Sequence, residues 1–128
     1  MEILNINLIK TILILPIIDF IYLTLISPYF KQQIRDVQGS ESNFRIISVI
    51  LCYVALVFAL NIFILNTDSS KEDKILKAFI LGICIYAVYE MTNYALLNNW
   101  HIRTVVIDTL WGGVLFALTT FLITTINI

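Results

Sequence analysis

The chain has 128 residues, of which 59% are hydrophobic and 13% charged, with a formal net charge of −1 and a mean hydropathy of +0.91. A soluble domain averages roughly 45–50% apolar and 25% charged residues, so this composition indicates an integral membrane protein. The near-neutral charge and the lack of any block of like charges argue against nucleic acid as a partner.

The first apolar run extends from Leu8 to Ser27, and its 20 residues are enough to cross a hydrocarbon core of roughly 30 Å. It is longer than the apolar region of a signal peptide, carries Asp19, and ends at Ser27-Pro28 without a small-residue cleavage site. We therefore predict a retained transmembrane helix.

Three further runs follow, each long enough to span the bilayer: Phe44 to Leu65, Ile75 to Leu97 and Ile102 to Ile128. Their number predicts an all-α integral membrane bundle of four transmembrane helices with both termini on the same side. The expected arrangement is a single transmembrane domain, residues 1–128, with helices at about 6–28, 44–66, 71–97 and 102–127. Cys52 and Cys84 lie inside apolar runs and are expected to act as small hydrophobic residues.

The connections carry local signals. The segment from Pro28 to Phe44 suits either a short amphipathic turn on the bilayer surface or an ordinary loop. Ser70 with Asp73 three residues later has capping-box spacing and predicts a helix start near Lys71. The link Asn98–His101 is so short that the third and fourth helices must be antiparallel neighbours. Basic residues divide equally between the two sides, so the sequence does not predict orientation.

Polar residues inside the spans share one depth. We define the B side as the side of the membrane that carries the first and third connections. Counting from the B-side helix ends, Asp19, Tyr53, Glu90 and Asp108 each lie roughly 10–14 Å deep at 1.5 Å per residue. Three acids and a tyrosine on four different helices therefore fall at one level.

Helical period places these acids on faces with aromatic or small residues. An aspartate that faces lipid costs about 2.5–3.5 kcal/mol on insertion scales, so the acids are expected to face a shared interior or a water-filled cavity. We predict a polar pocket that opens toward the B side. The predicted ligand-binding residues are Asp19, Tyr22, Tyr53, Tyr86, Glu90, Asn93, Asp108 and Trp111.

Three close carboxyl groups without a basic residue at their depth are suited to hold protons or to pair with a cation. The preferred hypothesis is a protein that binds or translocates a proton, a cation or a small amphiphile, with homo-oligomers as a further expectation. Asp19, Glu90 and Asp108 are also candidates for general acid and base in an intramembrane enzyme acting on a lipid-like substrate. A third interpretation is structural, with the polar groups only joining helices.

No common enzyme signature is present, so a non-enzymatic function is favoured. No cofactor is predicted, and the sequence does not identify a metal. The expected partners are the lipid bilayer and a proton, cation or amphiphilic small molecule.

Several motifs together resemble a known family. They are "IDFIYL", "SPYFKQQI", "YEMTN" and "WHIRTVVIDTLWG". The chain resembles the predicted membrane protein family called domain of unknown function 2177, whose members are small four-helix membrane proteins of bacteria and some viruses. The resemblance implies the same fold and a membrane location but no activity. The family's signature positions, as they match here, are Asp19, Tyr89, Glu90, Thr92, Asn93, Trp100, Asp108, Trp111 and Gly112.

The chain departs from the family pattern in two places. The family usually has aspartate where Glu90 stands and commonly proline where His101 stands. The first change retains a carboxyl group, and the second removes the rigidity that proline would give the turn. The isoleucine- and asparagine-rich composition is typical of an AT-rich genome and suits a viral source.

Overall fold

The computed structural model describes residues 5–43 and 45–126, and these residues form helices and connections with no strand. The helices are α1 (Ile6–Gln38), α2 (Ile46–Leu60, continued by a π-helical turn over Asn61–Leu65), α3 (Lys71–Leu96) and α4 (Ile102–Thr125). Each of the four, with α2 and its π-helical turn taken together, is long and apolar enough to cross a membrane. The protein is an all-helical, multi-pass integral membrane protein. The predicted start of the second helix at Phe44 and the predicted end of the fourth at 127 lie outside the described residues.

Helix α1 is longer than the sequence predicts. It continues through Pro28 to Gln38 and ends at Gly39, whose φ of 75° is the left-handed cap conformation that glycine adopts without steric cost. The predicted end near residue 28 is therefore too early. Pro28 removes one backbone hydrogen bond, but the next turns are held by contacts to the α3–α4 connection.

Those contacts centre on Gln33, which is 2% exposed. Its Nε2 donates to the Asn99 carbonyl oxygen at 2.8 Å, and its Oε1 accepts from the His101 backbone N–H at 3.1 Å and from the Thr104 hydroxyl at 2.5 Å. The Tyr29 hydroxyl also bonds to that of Thr104. The B-side end of α1 is thus fastened to the start of α4 by side-chain hydrogen bonds.

Helices α3 and α4 form an antiparallel hairpin with a very close approach. A Cβ atom added at Gly82 would collide with the backbone carbonyl of Gly112, and one added at Gly112 would collide with the ring of Tyr86. Small residues allow membrane helices to pack at such short distances. At the start of α3, the Ser70 side chain accepts from the Asp73 backbone N–H at 3.2 Å, which is the interaction that their spacing predicts.

The apolar core lies between all four helices, toward the side opposite the B side. Its largest fully buried apolar side chains are Leu15, Leu60, Leu115 and Phe116. Helix α3 packs against the π-helical end of α2, whereas the α-helical part of α2 has few close contacts with α3. The bundle is therefore tight at one end, and α2 and α3 separate toward the B side.

Candidate functional site

Asp19 joins three helices. It is 7% exposed, and its Oδ1 accepts a hydrogen bond of 2.9 Å from the Trp111 indole N–H on α4. Its Oδ2 accepts from the Tyr53 hydroxyl on α2. Both donors come from residues that the depth and face arguments selected, so the structure brings these three together.

Trp111 is oriented by Tyr22, one turn after Asp19 on α1. The two rings stack with centroids 4.2 Å apart and planes 5° from parallel. The Tyr22 hydroxyl is directed toward the Asp108 carboxyl group but does not reach hydrogen-bond geometry with any described residue. Tyr22 therefore lies between Asp19 and Asp108 and has an unused polar atom.

Glu90 and Asp108 form a second acidic unit across the hairpin. Glu90 is fully buried, and its Oε1 accepts from the Trp100 indole N–H at 3.0 Å and from the Asn93 amide at 3.5 Å. Its Oε2 has no hydrogen-bond partner among the described residues, and its carboxyl group lies beside that of Asp108, which is 8% exposed. The two carboxyl groups therefore form one acidic unit, which reaches the cavity through Asp108.

A cavity of about 510 Å³ opens between α1, α2 and α3. It is lined by Asp19, Tyr22, Leu23, Ile26, Ser27, Phe30, Lys31, Ile34, Ser42, Cys52, Leu56, Ile85, Tyr86, Tyr89 and Asp108. Asp19 and Asp108 line its inner part together with the deeper Leu56, Ile85 and Tyr86, and Lys31 and Ser42 line it on the B side. The rest of the wall consists mainly of aliphatic and aromatic side chains.

The predicted ligand-binding residues divide into two groups. Asp19, Tyr22, Tyr86 and Asp108 line the cavity. The other four do not line the cavity but contact residues that do. Tyr53 and Trp111 bond to Asp19. Asn93 bonds to Glu90, which lies beside Asp108. A role for any of these residues in ligand binding remains a prediction.

The three acids do not meet at one point. Asp19 is held by Tyr53 and Trp111, whereas Asp108 is closest to Glu90. Among residues 5–43 and 45–126, no group of three histidine, cysteine, aspartate or glutamate side chains is placed to hold a metal ion. The geometry does not assemble the three carboxyl groups as one cluster of metal ligands.

Sequence reasoning missed two residues that matter to the site. Trp100 was named only as a family signature position and not among the predicted ligand-binding residues, yet its indole N–H bonds to Glu90. The available signal was its distance of ten residues from Glu90 across a short turn. Gln33 positions the B-side end of α1, and the signals for it were the amphipathic character of this segment and its place in the motif "SPYFKQQI".

Comparison with known proteins identifies the family. A family profile described as "Predicted membrane protein (DUF2177)" matches residues 4–125. The chain belongs to this family. Curated protein sequences and solved structures give no match.

Proposed function

We propose that this membrane protein binds a small amphiphile in the cavity between α1, α2 and α3. The polar end of the ligand carries a hydrogen-bond donor, either an amine or a hydroxyl, and contacts Asp19 and Asp108. The apolar body lies against Leu23, Ile26 and Leu56. The observation that carries this proposal is the combination of two buried carboxyl groups with a mainly apolar cavity of about 510 Å³.

The size and the wall of the cavity favour an organic ligand over a bare proton or metal ion. Small-molecule sites in proteins occupy roughly 300–1,000 Å³, are mostly apolar, and use a few polar groups to orient the ligand. Protons and metal ions require polar groups close together and do not require an apolar chamber of this size. The hydrogen bonds from Trp111 and Tyr53 hold the Asp19 carboxyl group in place before a ligand arrives.

The arrangement of α2 and α3 supports access from the bilayer. The two helices approach each other at the π-helical end of α2 and separate toward the B side. Tyr89 on α3 and Cys52 on α2 line the cavity, and both side chains are exposed, so the cavity is open where these two helices separate. A membrane-dissolved amphiphile would therefore reach the carboxyl groups without crossing the aqueous phase.

The two cysteines provide a direct test. Cys52 lines the cavity, whereas Cys84 is exposed outside it. Cys84→Ser leaves Cys52 as the single cysteine, and Cys52→Ser leaves Cys84. Each variant is reconstituted in nanodiscs and treated with N-ethylmaleimide with and without dodecylamine. We expect the amine to slow modification of Cys52 and to leave Cys84 unaffected. Native mass spectrometry of the same samples should detect retained dodecylamine.

Equal slowing at both cysteines would indicate a general effect of the amine on the bilayer and would contradict the proposal. No slowing at Cys52 and no retained amine would also contradict it. If modification of Cys52 is too slow to follow, retention of dodecylamine in native mass spectrometry is the deciding measurement.

One observation favours a second candidate, acid–base catalysis on the bound amphiphile. Asp108 lines the cavity and lies beside the fully buried Glu90, so this pair of carboxyl groups is placed to exchange a proton with a bound molecule. Incubation of the reconstituted protein with extracted lipids, followed by lipid mass spectrometry, tests this candidate. A product formed by the native chain and not by Glu90→Gln would support it, and unchanged lipids would count against it.

A further inference from the structure

We infer that the ligand of this cavity is charged at both ends, with an ammonium group at Asp19 and Asp108 and an anionic group at Lys31. This inference rests on the proposed function and specifies the chemical class of the ligand. It is carried by side chains of opposite charge that line one cavity at different depths, Asp19 and Asp108 in its inner part and Lys31 on the B side.

Lys31 lies at the B-side end of the cavity, twelve residues after Asp19 on the same helix. At 1.5 Å per residue, the two positions are about 18 Å apart along α1. Both side chains line the same space. A ligand that contacts both ends therefore needs an apolar chain of medium length between two polar groups.

No carboxylate neutralises Lys31 within the described parts of the chain. The ion pairs found there join Arg35 to Glu41, Lys77 to Asp73 and His101 to Asp36. Lys31 lies just beyond Pro28, at the level where a long basic side chain extends its ammonium group to the membrane surface. Its charge is available to an anion at the cavity opening, where the Ser42 hydroxyl is a second polar group.

The apolar middle of the cavity matches the apolar chain of such a ligand. Ile26 and Phe30 lie between Asp19 and Lys31 on α1 and present apolar surface to the cavity. A simple fatty acid would place its apolar terminus against Asp19 and Asp108, and a simple alkylamine would leave Lys31 without a partner. An ω-amino fatty acid complements the acidic inner end, the apolar wall and the basic opening.

The test compares two probes that differ only at one end, ω-aminododecanoate and dodecylamine. Protection of Cys52 from N-ethylmaleimide is titrated with each probe in nanodiscs of zwitterionic lipid. Lys31→Gln should raise the half-protecting concentration of ω-aminododecanoate by up to about fivefold, as expected for one partly exposed ion pair. It should leave the value for dodecylamine unchanged.

Arg45→Gln is the matched control, because Arg45 is an exposed cation on the same side of the membrane and does not line the cavity. Arg45→Gln should change the half-protecting concentration of neither probe. A charge-reversing variant, Lys31→Glu, should favour dodecane-α,ω-diamine over ω-aminododecanoate.

The outcomes separate this inference from the proposed function. An equal effect of Lys31→Gln on both probes would show that Lys31 acts on the membrane surface rather than on the anion, and would overturn the inference alone. Protection by dodecylamine without protection by ω-aminododecanoate would also overturn it and leave the proposed function standing. Failure of both probes to protect Cys52 and to remain bound in native mass spectrometry would contradict both.

Discussion

The Trp111 indole N–H donates a hydrogen bond of 2.9 Å to the Asp19 carboxylate across 92 residues of sequence. This bond connects α4 to α1 and fixes the orientation of an acid that lines the cavity. Because Tyr53 donates to the other oxygen of Asp19, the same carboxyl group also connects α1 to α2. Asp19 is therefore a structural link as well as a candidate ligand contact.

Asp19→Asn should lower the free energy of unfolding by about 1–3 kcal/mol. An amide has one acceptor oxygen in place of two, so one of the two donors loses its partner or must reorient. The measurement is denaturant or thermal unfolding of the purified protein in detergent. Asp68→Asn, at an exposed position in the α2–α3 connection, serves as the control and should have no measurable effect.

Asp108→Asn should behave differently. Asp108 lies beside Glu90, and an amide at position 108 can donate a hydrogen bond to the Glu90 Oε2, which has no partner among the described residues. We expect unfolding stability to be unchanged or higher, together with loss of Cys52 protection by dodecylamine. Stability falling as far as in Asp19→Asn, with protection retained, would assign Asp108 a purely structural role.

Gly82→Ala should destabilise the α3–α4 hairpin by about 1–3 kcal/mol, as other overpacked sites do. The added methyl group would collide with the Gly112 carbonyl, which belongs to the backbone and has little freedom to move. Val88→Ile adds one methyl group to the same helix at a position that is 70% exposed, and should be neutral. Similar unfolding of both variants would contradict the close approach at Gly82.

Gln33→Ala should loosen the B-side end of α1. The substitution removes the partners of the Asn99 carbonyl and the His101 N–H, and the exposed neighbour Gln32→Ala provides the control. Hydrogen exchange of the backbone amides is expected to increase in residues 29–38 and 99–104, while the rest of α3 and α4 stays protected. Equal exchange in the two variants would show that the helix beyond Pro28 does not depend on Gln33.

Much of the architecture follows from local features of the sequence. Long apolar runs predict the spans, and the short Asn98–His101 link requires α3 and α4 to be neighbours. The depth of Glu90 and Asp108 also follows from counting residues from the Asn98–His101 link, because an α-helix rises by a constant amount per residue. These properties depend on the chain within one helix or one turn. The count for Asp19 began at Pro28, whereas α1 continues to Gln38, and the level of Asp19 is shown instead by its bonds to Tyr53 and Trp111.

Other features require the assembled bundle. Helical period predicted which residues share a face but not that Asp19 would bond to Trp111 while Asp108 lies beside Glu90. The continuation of α1 beyond Pro28 depends on Gln33 contacting a turn more than 60 residues away. The local sequence pattern does not predict contacts between residues so far apart in the chain.

The sequence by itself therefore determined a four-helix membrane protein with three acids inside its spans and a fixed helical hairpin. Only the tertiary structure decided how those acids are divided between Asp19 and the Glu90–Asp108 pair, and where a cavity remains between α1, α2 and α3. The reason is that lipid tails are as apolar as the side chains, so apolar contacts between helices are little more favourable in free energy than contacts with lipid. Helix rotation and spacing in the bilayer are set instead by close packing at residues such as Gly82 and by hydrogen bonds between helices.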